Sequence, residues 1–174
     1  MKETELKLIS ELMKDARRSD RDLAKVIGAS QPTVSRLRTK LEKEGIIREY
    51  TMIPDFNKIG YEILAVTFLK LKGSLNAEEL SRIRSLARER MQKSPYDMIM
   101  MEKGMGLGYD GIVITFHKDY SAYMEFRGFL RQYPFLENIT DSFLVDLSDK
   151  EQYLPLTLSV LAKHMKTNRE EKKK

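Results

Sequence analysis

Residues 19–45 read SDRDLAKVIGASQPTVSRLRTKLEKEG, and the folding of this stretch decides how the rest is understood. Its apolar residues form two short helical stripes. Leu23, Val26 and Ile27 make the first. Ser19 stands before it as a cap, with Asp22 three residues on as in a capping box. Gly28 takes the position that favours a left-handed residue at a helix end. Only Gly28-Ala29-Ser30 separates this helix from the next. Ser30 caps the second helix, Pro32 sits in its first turn, where the missing N–H costs nothing, and Gly45 stops it. At ~100° per residue, Leu37 and Leu41 fall within about 60° of Val34 and pack inward. Pro32, Ser35, Arg36, Thr39, Lys40 and Lys43 point outward, with Gln31 and Thr33 at the flanks. No acidic residue joins the outward face before Glu42 and Glu44.

Short hydroxyls beside arginine suit the major groove. Arg can be bidentate to guanine, while Ser, Thr and Gln reach base edges or phosphates. The amides at the helix start favour a phosphate. The candidate DNA contacts are Ser30, Gln31, Thr33, Ser35, Arg36, Thr39, Lys40 and Lys43, with Arg48 on the segment that follows. Taken alone, an exposed helix with a solvated basic face has the same pattern. The neighbours add the context of a helix-turn-helix. Residues 5–17, ELKLISELMKDAR, predict a preceding helix with Leu6, Ile9, Met13 and Ala16 at helical spacing and Leu8 and Leu12 widening the stripe. Residues 46–61, IIREYTMIPDFNKIGY, alternate apolar and polar and turn at Pro54-Asp55, which predicts a short two-stranded wing.

The period changes after Glu62. EILAVTFLKLK (62–72) predicts a strand and NAEELSRIRSLARERMQ (76–92) a helix capped by Asn76, with Leu80, Ile83, Leu86 and Met91 inward. DMIMMEK (97–103) is a strand, residues 104–108 a turn and YDGIVITFH (109–117) the next strand. DYSAYMEFRGFLRQY (119–133) is a helix capped by Asp119, and ENITDSFLVDL (137–147) the last strand. The order β-α-β-β-α-β is that of a ferredoxin-like unit, giving an α+β fold class. LPLTLSVLAKHM (154–165) predicts an extra C-terminal helix, with Leu154, Leu158, Leu161 and Met165 on one face and Pro155 near its start. The charged residues 167–174 are expected to be disordered.

The elements LAKVIGAS (23–30), TVSRLRTKLEKEGII (33–47) and KIGYE (58–62) resemble the N-terminal domain of the Lrp/AsnC (feast/famine) transcriptional regulators. The resemblance covers about residues 4–147 and is sharpest over the first 60. It implies a winged helix-turn-helix joined to a β-α-β-β-α-β oligomerisation and effector (RAM) domain, assembled as dimers and larger rings. The expected boundaries are 1–53 for the DNA-binding domain, 54–61 for a hinge, 62–150 for the ferredoxin-like domain, 151–166 for the C-terminal helix and 167–174 for the tail.

Strand residues are apolar on both sides. Leu64, Val66 and Phe68 oppose Ile63, Ala65, Leu69 and Leu71; Ile112, Ile114 and Phe116 oppose Val113; Phe143, Val145 and Leu147 oppose Leu144. Two buried faces are implied, although helices cover only one. The expectation is a homodimer packed sheet to sheet, which suits two half-sites on duplex DNA. The alternative is that the C-terminal helix covers the open face.

Gly106 to Gly111, GLGYDG, matches the G-x-G-x-x-G pattern of a dinucleotide-binding loop. Such a loop must lead into a helix, and here IVITFH, a strand, follows, so the run is expected to be a hairpin turn. The family resemblance gives this turn another role, lining an amino-acid effector pocket between subunits. The residues it implies are Gly106, Gly108, Tyr109, Asp110 and, near the start of the last strand, Asp141. The turn is longer here than the family's G-x-Y-D, so an effector-independent regulator or an architectural protein remains the alternative.

The totals narrow the other classes. Of 174 residues, 41% are hydrophobic and 33% charged, as in a protein with a real core. Without cysteine, and with only His117 and His164, disulfides and thiolate metal sites are excluded and a histidine metal site is not expected. No cofactor is implied and no set of residues suggests an enzyme. No apolar run reaches the ~18–20 residues of a membrane span, and MKETELKLIS lacks a signal peptide's apolar stretch, so a cytoplasmic protein is expected. Residues 1–60 hold 13 Lys/Arg against 10 Asp/Glu, residues 61–162 hold 12 against 14, and residues 163–174 hold 6 against 2, so the basic excess lies at the two ends. An RNA-binding protein would need exposed aromatics on the first and third strands. Phe68 and Phe116 are candidates, but their aliphatic neighbours fit a buried interface better.

Overall fold

The computed structural model describes residues 1–73, 75–137, 141–151, 153–163 and 165. It divides into two units, one of Met1–Ile53 with the chain from Tyr153 onward, the other of Pro54–Gln152.

In the first unit, α1 (Glu3–Lys14), α2 (Asp20–Ile27) and α3 (Gln31–Lys43) enclose a core of Leu8, Leu12, Leu23, Ala24, Ile27, Val34 and Leu41. The predicted caps form. Ser19 accepts from the Asp22 amide at 3.2 Å, and Ser30 from that of Thr33 at 3.3 Å. Gly28 closes α2 at φ 70°, which glycine adopts without steric penalty. α1 is shorter than expected, with Asp15 already extended, so Ala16 falls outside it. Its buried line is Glu5, Leu8 and Leu12, while Leu6, Ile9 and Met13 are half-buried.

Two expectations for this unit change. Residues 46–56 carry no strand, so the wing lacks its predicted β-ladder. Two strands with no third strand or covering element are marginal in water. Ile46, Tyr50, Met52 and Ile53 are exposed, and only Ile47 packs on the core. The C-terminal helix contracts to α6 (Ser159–Ala162). Pro155 disfavours helical geometry at Leu154, and residues 153–157 form no helix. Leu154, Leu158 and Leu161, predicted to share a packing face, are exposed. Ala162 is buried instead, and α6 packs on α1, where the Ser10 hydroxyl donates to the Ala162 carbonyl at 3.0 Å. His164 and the basic tail 167–174 lie outside the described residues.

In the second unit, β1 (Ile63–Leu69), β2 (Asp97–Gly106), β3 (Tyr109–His117) and β4 (Ser142–Asp146) form one antiparallel sheet in the order β2-β3-β1-β4. α4 (Ala77–Gln92) and α5 (Tyr120–Leu130) supply the crossovers of the ferredoxin-like order. Ala65, Thr67, Val113, Thr115 and His117 are buried on the covered face, where Val113 joins Phe126, Leu130, Tyr133 and Leu136 in a core. On the opposite face, Leu64 pairs with Phe116, Val66 with Ile114 and Phe68 with Ile112. The residues expected to be a hinge, 54–61, belong in part to this face. Phe56 stacks on Phe116 with centroids 4.1 Å apart, and the Tyr61 hydroxyl donates to Asp97 at 3.0 Å. Asn57–Ile59 is a 3-10 turn closed by Gly60.

The glycine run lies within the β2–β3 hairpin. β2 continues to Gly106, farther than Lys103, and the turn is Leu107-Gly108, both at positive φ (52° and 79°) as in a type I′ hairpin. Gly111 has a different reason to be glycine, because a Cβ there would meet the Glu102 carbonyl oxygen at 2.8 Å.

His117 is 3% exposed. Its Nε2 lies 2.7 Å from the Thr115 hydroxyl, and its ring packs on Tyr123 and Phe126. Burial pushes its pKa below the ordinary value, while the charges of Asp97 and Asp119 pull the other way. The unfolded chain therefore takes a proton that the folded site resists. The stability this gives is complete above the ordinary histidine pKa of about 6.5 and is lost as pH falls below it. Thermal unfolding from pH 8 to pH 5 should show the melting temperature falling more steeply in the parent than in His117→Gln. Parallel curves would refute this.

Candidate nucleic-acid interface

α3 is held at three points. Val34 and Leu41 are fully buried and set its rotation about its own axis. Arg38 sets its position against α2, forming an ion pair with Asp20 at 2.7 Å and donating to the Arg18 carbonyl at 3.3 Å. Lys40 sets it against α1, pairing at 2.6 Å with Glu5, whose second oxygen accepts from the Lys2 amide at 2.7 Å. The Lys40 hydrogen bond, followed by that amide, holds the Glu5 carboxyl below the usual range, and Glu5 in turn raises the lysine.

These supports divide the residues expected to face DNA. Gln31, Ser35, Arg36, Thr39 and Lys43 are exposed on α3, and Arg36 and Lys43 carry no ion pair among the described residues. The Arg36 Nε donates to the Pro32 carbonyl one turn back, at 3.3 Å, so the guanidinium lies over the N-terminal half of α3. Ser30 and Thr33 are engaged with one another, their hydroxyls 2.8 Å apart. Lys40 is half-exposed but held by Glu5, with Glu44 at 3.7 Å. Arg48 is exposed beyond the helix.

Sequence reasoning missed Arg38 and Tyr50. The Tyr50 hydroxyl donates to Glu42 at 2.8 Å and its ring lies beneath Arg38, 5.7 Å from the guanidinium carbon. Burial, and then the Glu42 bond, pushes its pKa up to about 12. Tyr50 thus secures the start of the wing segment to α3. Arg38 stands two residues from Arg36, on the opposite side of the helix, and the acidic residue at the start of α2 was the available signal.

The residues of the suggested effector site lie around one end of the sheet. The Tyr109 hydroxyl donates to Asp141, which holds the phenol pKa up, and the Tyr109 ring packs on Phe68 at 5.2 Å. Asp110 accepts from the Leu71 amide at 2.8 Å. Gly106 and Gly108 flank Leu107 at the hairpin tip. Tyr109 and Asp141 are therefore brought together, while Asp110 ties down the chain after β1. Among the described residues no group of His, Asp or Glu could hold a metal ion, and no helix is long and apolar enough to cross a membrane.

Residues 1–48 match the model of winged helix-turn-helix DNA-binding domains. An uncharacterized HTH-type transcriptional regulator of Pyrococcus furiosus is 31% identical over 106 residues, 61% of this chain and 66% of that protein. The match spans 66% and 63% of the length of the first two curated relatives. Among solved structures, an AsnC family transcriptional regulator from Agrobacterium tumefaciens superposes with TM-score 0.68 at 20% identity, over 90% of this chain and 95% of that one. A Neisseria meningitidis transcriptional regulator in complex with L-Met superposes with TM-score 0.70 at 18% identity, over 92% and 99%. The resemblance read from the sequence holds in both parts, the DNA-binding domain by its sequence and the remainder by its fold.

Glu5 subtracts from the positive face by holding Lys40. Glu5→Gln should free that amine, tighten binding to non-specific duplex DNA and steepen the slope of log K against log salt by about 0.9, one phosphate's worth. A slope unchanged within error, measured by fluorescence anisotropy, would show that Lys40 faces no phosphate.

Proposed function

We propose that this chain, which joins a winged helix-turn-helix DNA-binding domain to the fold of the AsnC/Lrp regulators, is a sequence-specific transcriptional regulator that reads duplex DNA as a homodimer. The observation that carries this reading is the exposed face of α3, where Gln31, Ser35, Arg36, Thr39 and Lys43 have no acidic partner among the described residues. Arg36 is assigned to base edges and Lys43 to the phosphate backbone, with Arg48 on the neighbouring backbone. The role is binding, not catalysis, and the compartment proposed is the cytoplasm.

The open sheet face supports the dimer. Phe143 is 65% exposed, with Met100 and Val145 also exposed, beside half-buried Leu64, Val66, Phe68, Ile112 and Ile114. A contiguous apolar surface on an otherwise charged chain marks an interface. A two-fold axis through it makes the contact self-complementary and gives the DNA two recognition helices.

A second reading adds an amino-acid effector. It is favoured by the convergence of Tyr109, Asp141 and Phe68 at one end of the sheet, and by the L-Met bound to the Neisseria relative. An ammonium group would displace the Tyr109 hydroxyl from Asp141.

Arg36→Ala should weaken operator binding by about 1–3 kcal/mol and relax base preference, whereas Lys43→Ala should weaken binding evenly across sequences. If both variants bind like the parent, α3 is not the reading element. Sedimentation at micromolar concentration should give a dimer or larger species, and Phe143→Glu should shift it toward monomer. A monomeric parent would remove the sheet-to-sheet interface. Calorimetric titration with each common amino acid tests the second reading. Heat abolished by Asp141→Asn supports it, and no heat with any of them leaves the regulator effector-independent.

A further inference from the structure

Arg48 is the one basic residue assigned to DNA that lies off α3, and Glu49 follows it directly. Both are exposed, and neither has an ion-pair partner among the described residues. Their charges cancel at a distance. Such a pair attracts a phosphate only when the arginine is held nearer to it than the glutamate. The position of this short segment therefore decides whether it helps or hinders DNA binding.

The chain is pinned on both sides of the pair. Gly45 turns it out of α3 at φ 69°. The Ile46 and Ile47 amides then both donate to the Leu41 carbonyl, at 2.9 and 3.1 Å, and the Ile47 side chain packs on the core. On the far side the Tyr50 hydroxyl donates to Glu42 at 2.8 Å, and its ring lies under Arg38. Only Arg48 and Glu49 stand between these two pins. At ~100° per residue, Arg38 and Glu42 lie about 40° and 80° round α3 from Val34, whereas Arg36 and Lys43 lie at about 200° and 180°. Tyr50 thus seats the segment on one flank of α3, beside the reading face. Arg38 Nε is buried with no hydrogen-bond partner among the described residues, so this guanidinium gives up water to make its contacts with Asp20 and Tyr50. Burial does not account for a tyrosine that stays 44% exposed; the hydroxyl makes the specific contact.

We propose that Tyr50 is a positioning residue for DNA binding: bonded to Glu42 and packed under Arg38, it holds Arg48 against a backbone phosphate beside the bases read by α3. This rests on the proposed regulator function. Tyr50 itself touches no DNA. It fixes the segment before the duplex arrives, so that less freedom is lost on binding.

The test uses the full chain, a fluorescent duplex carrying a selected site and a scrambled duplex of the same length. Tyr50→Phe keeps the ring and loses the bond. It should bind about two- to tenfold more weakly, the cost of ordering one long side chain on binding. The loss should be the same on both duplexes, because a phosphate contact carries no sequence information. Arg48→Ala should lower the slope of log K against log salt by about 0.9. Tyr50→Phe/Arg48→Ala should bind like Arg48→Ala alone. Glu42→Ala cuts the same bond from an exposed helical position, where alanine favours the helix, and should also shrink the Arg48→Ala loss. Glu42→Gln keeps an oxygen to accept the hydroxyl and should leave that loss at its parental size. Unchanged melting temperatures confirm that the variants fold. Parental binding by Tyr50→Phe or by Arg48→Ala would overturn the proposal, as would additive losses in the double variant. A Tyr50→Phe loss confined to the selected duplex would also overturn it, by showing that the tyrosine braces α3 and not the arginine. Failure of Arg36→Ala to weaken the selected duplex would instead strike the regulator function itself.

Discussion

The seating of α3 in the first unit is the constraint on which the functional face depends. Val34 and Leu41 are fully buried on one side of the helix, and that burial alone decides which side chains are left to solvent. A rotation of one residue, ~100°, would carry Arg36 toward the flank and bring Thr33 or Leu37 outward. Burial fixes the angle but not the position along the axis. The ion pairs do that. Arg38 to Asp20 and Lys40 to Glu5, two residues apart, tie one turn of α3 to two different helices. Basic side chains on this helix thus do two jobs. Arg38 and Lys40 brace it, and Arg36 and Lys43 remain available. The proximity of Glu5 means that bracing also lowers the positive potential of the face, a compromise between rigidity and attraction for DNA.

The second unit obeys a different requirement. Its sheet is apolar on both sides and its helices account for one. Part of the other side is covered from within the unit, since Phe56 and Tyr61 close over Phe116, which is only 4% exposed. The remaining surface centres on β1 and β4. Phe143 and Val145 would stay wet without an occupant, and this is what makes a self-complementary contact the economical reading.

Much of this was legible in the sequence because it depended on local rules. Caps at Ser19 and Ser30, left-handed Gly28 and the change of period after Glu62 each follow from chemistry within a few residues. The helix-turn-helix and the β-α-β-β-α-β order of elements follow from them. The wing departs from its pattern because alternation in 46–56 makes a strand only where a neighbouring strand pairs with it, and among the described residues none does. The C-terminal helix was overextended because leucines at helical spacing outweighed Pro155, and because α1's need for Ala162 was invisible from either segment alone. In the candidate site, outward-facing positions could be read from the angle about α3, but the pairing of Lys40 with Glu5, 35 residues earlier, could not. That contact depends on tertiary placement, as does the meeting of Tyr109 with Asp141.

A sheet greasy on both faces faces a problem of alignment. Where only one side is apolar, a strand that slips by one residue exposes its whole hydrophobic set and is rejected. Here a slipped β4 or β3 would present another apolar row, and the oily pattern would discriminate poorly. The buried polar groups supply what is missing. Thr67 shares a 2.9 Å hydrogen bond with Ser142 across β1 and β4, and Thr115 shares one with His117 on the same covered face. A one-residue slip would separate Thr67 from Ser142, and a buried hydroxyl without its partner is costly; a slip of β3 would carry the Thr115–His117 pair to the other face and take the His117 ring off Tyr123 and Phe126. These few polar atoms act as the key of the sheet, selecting one alignment from several that hydrophobicity alone would accept.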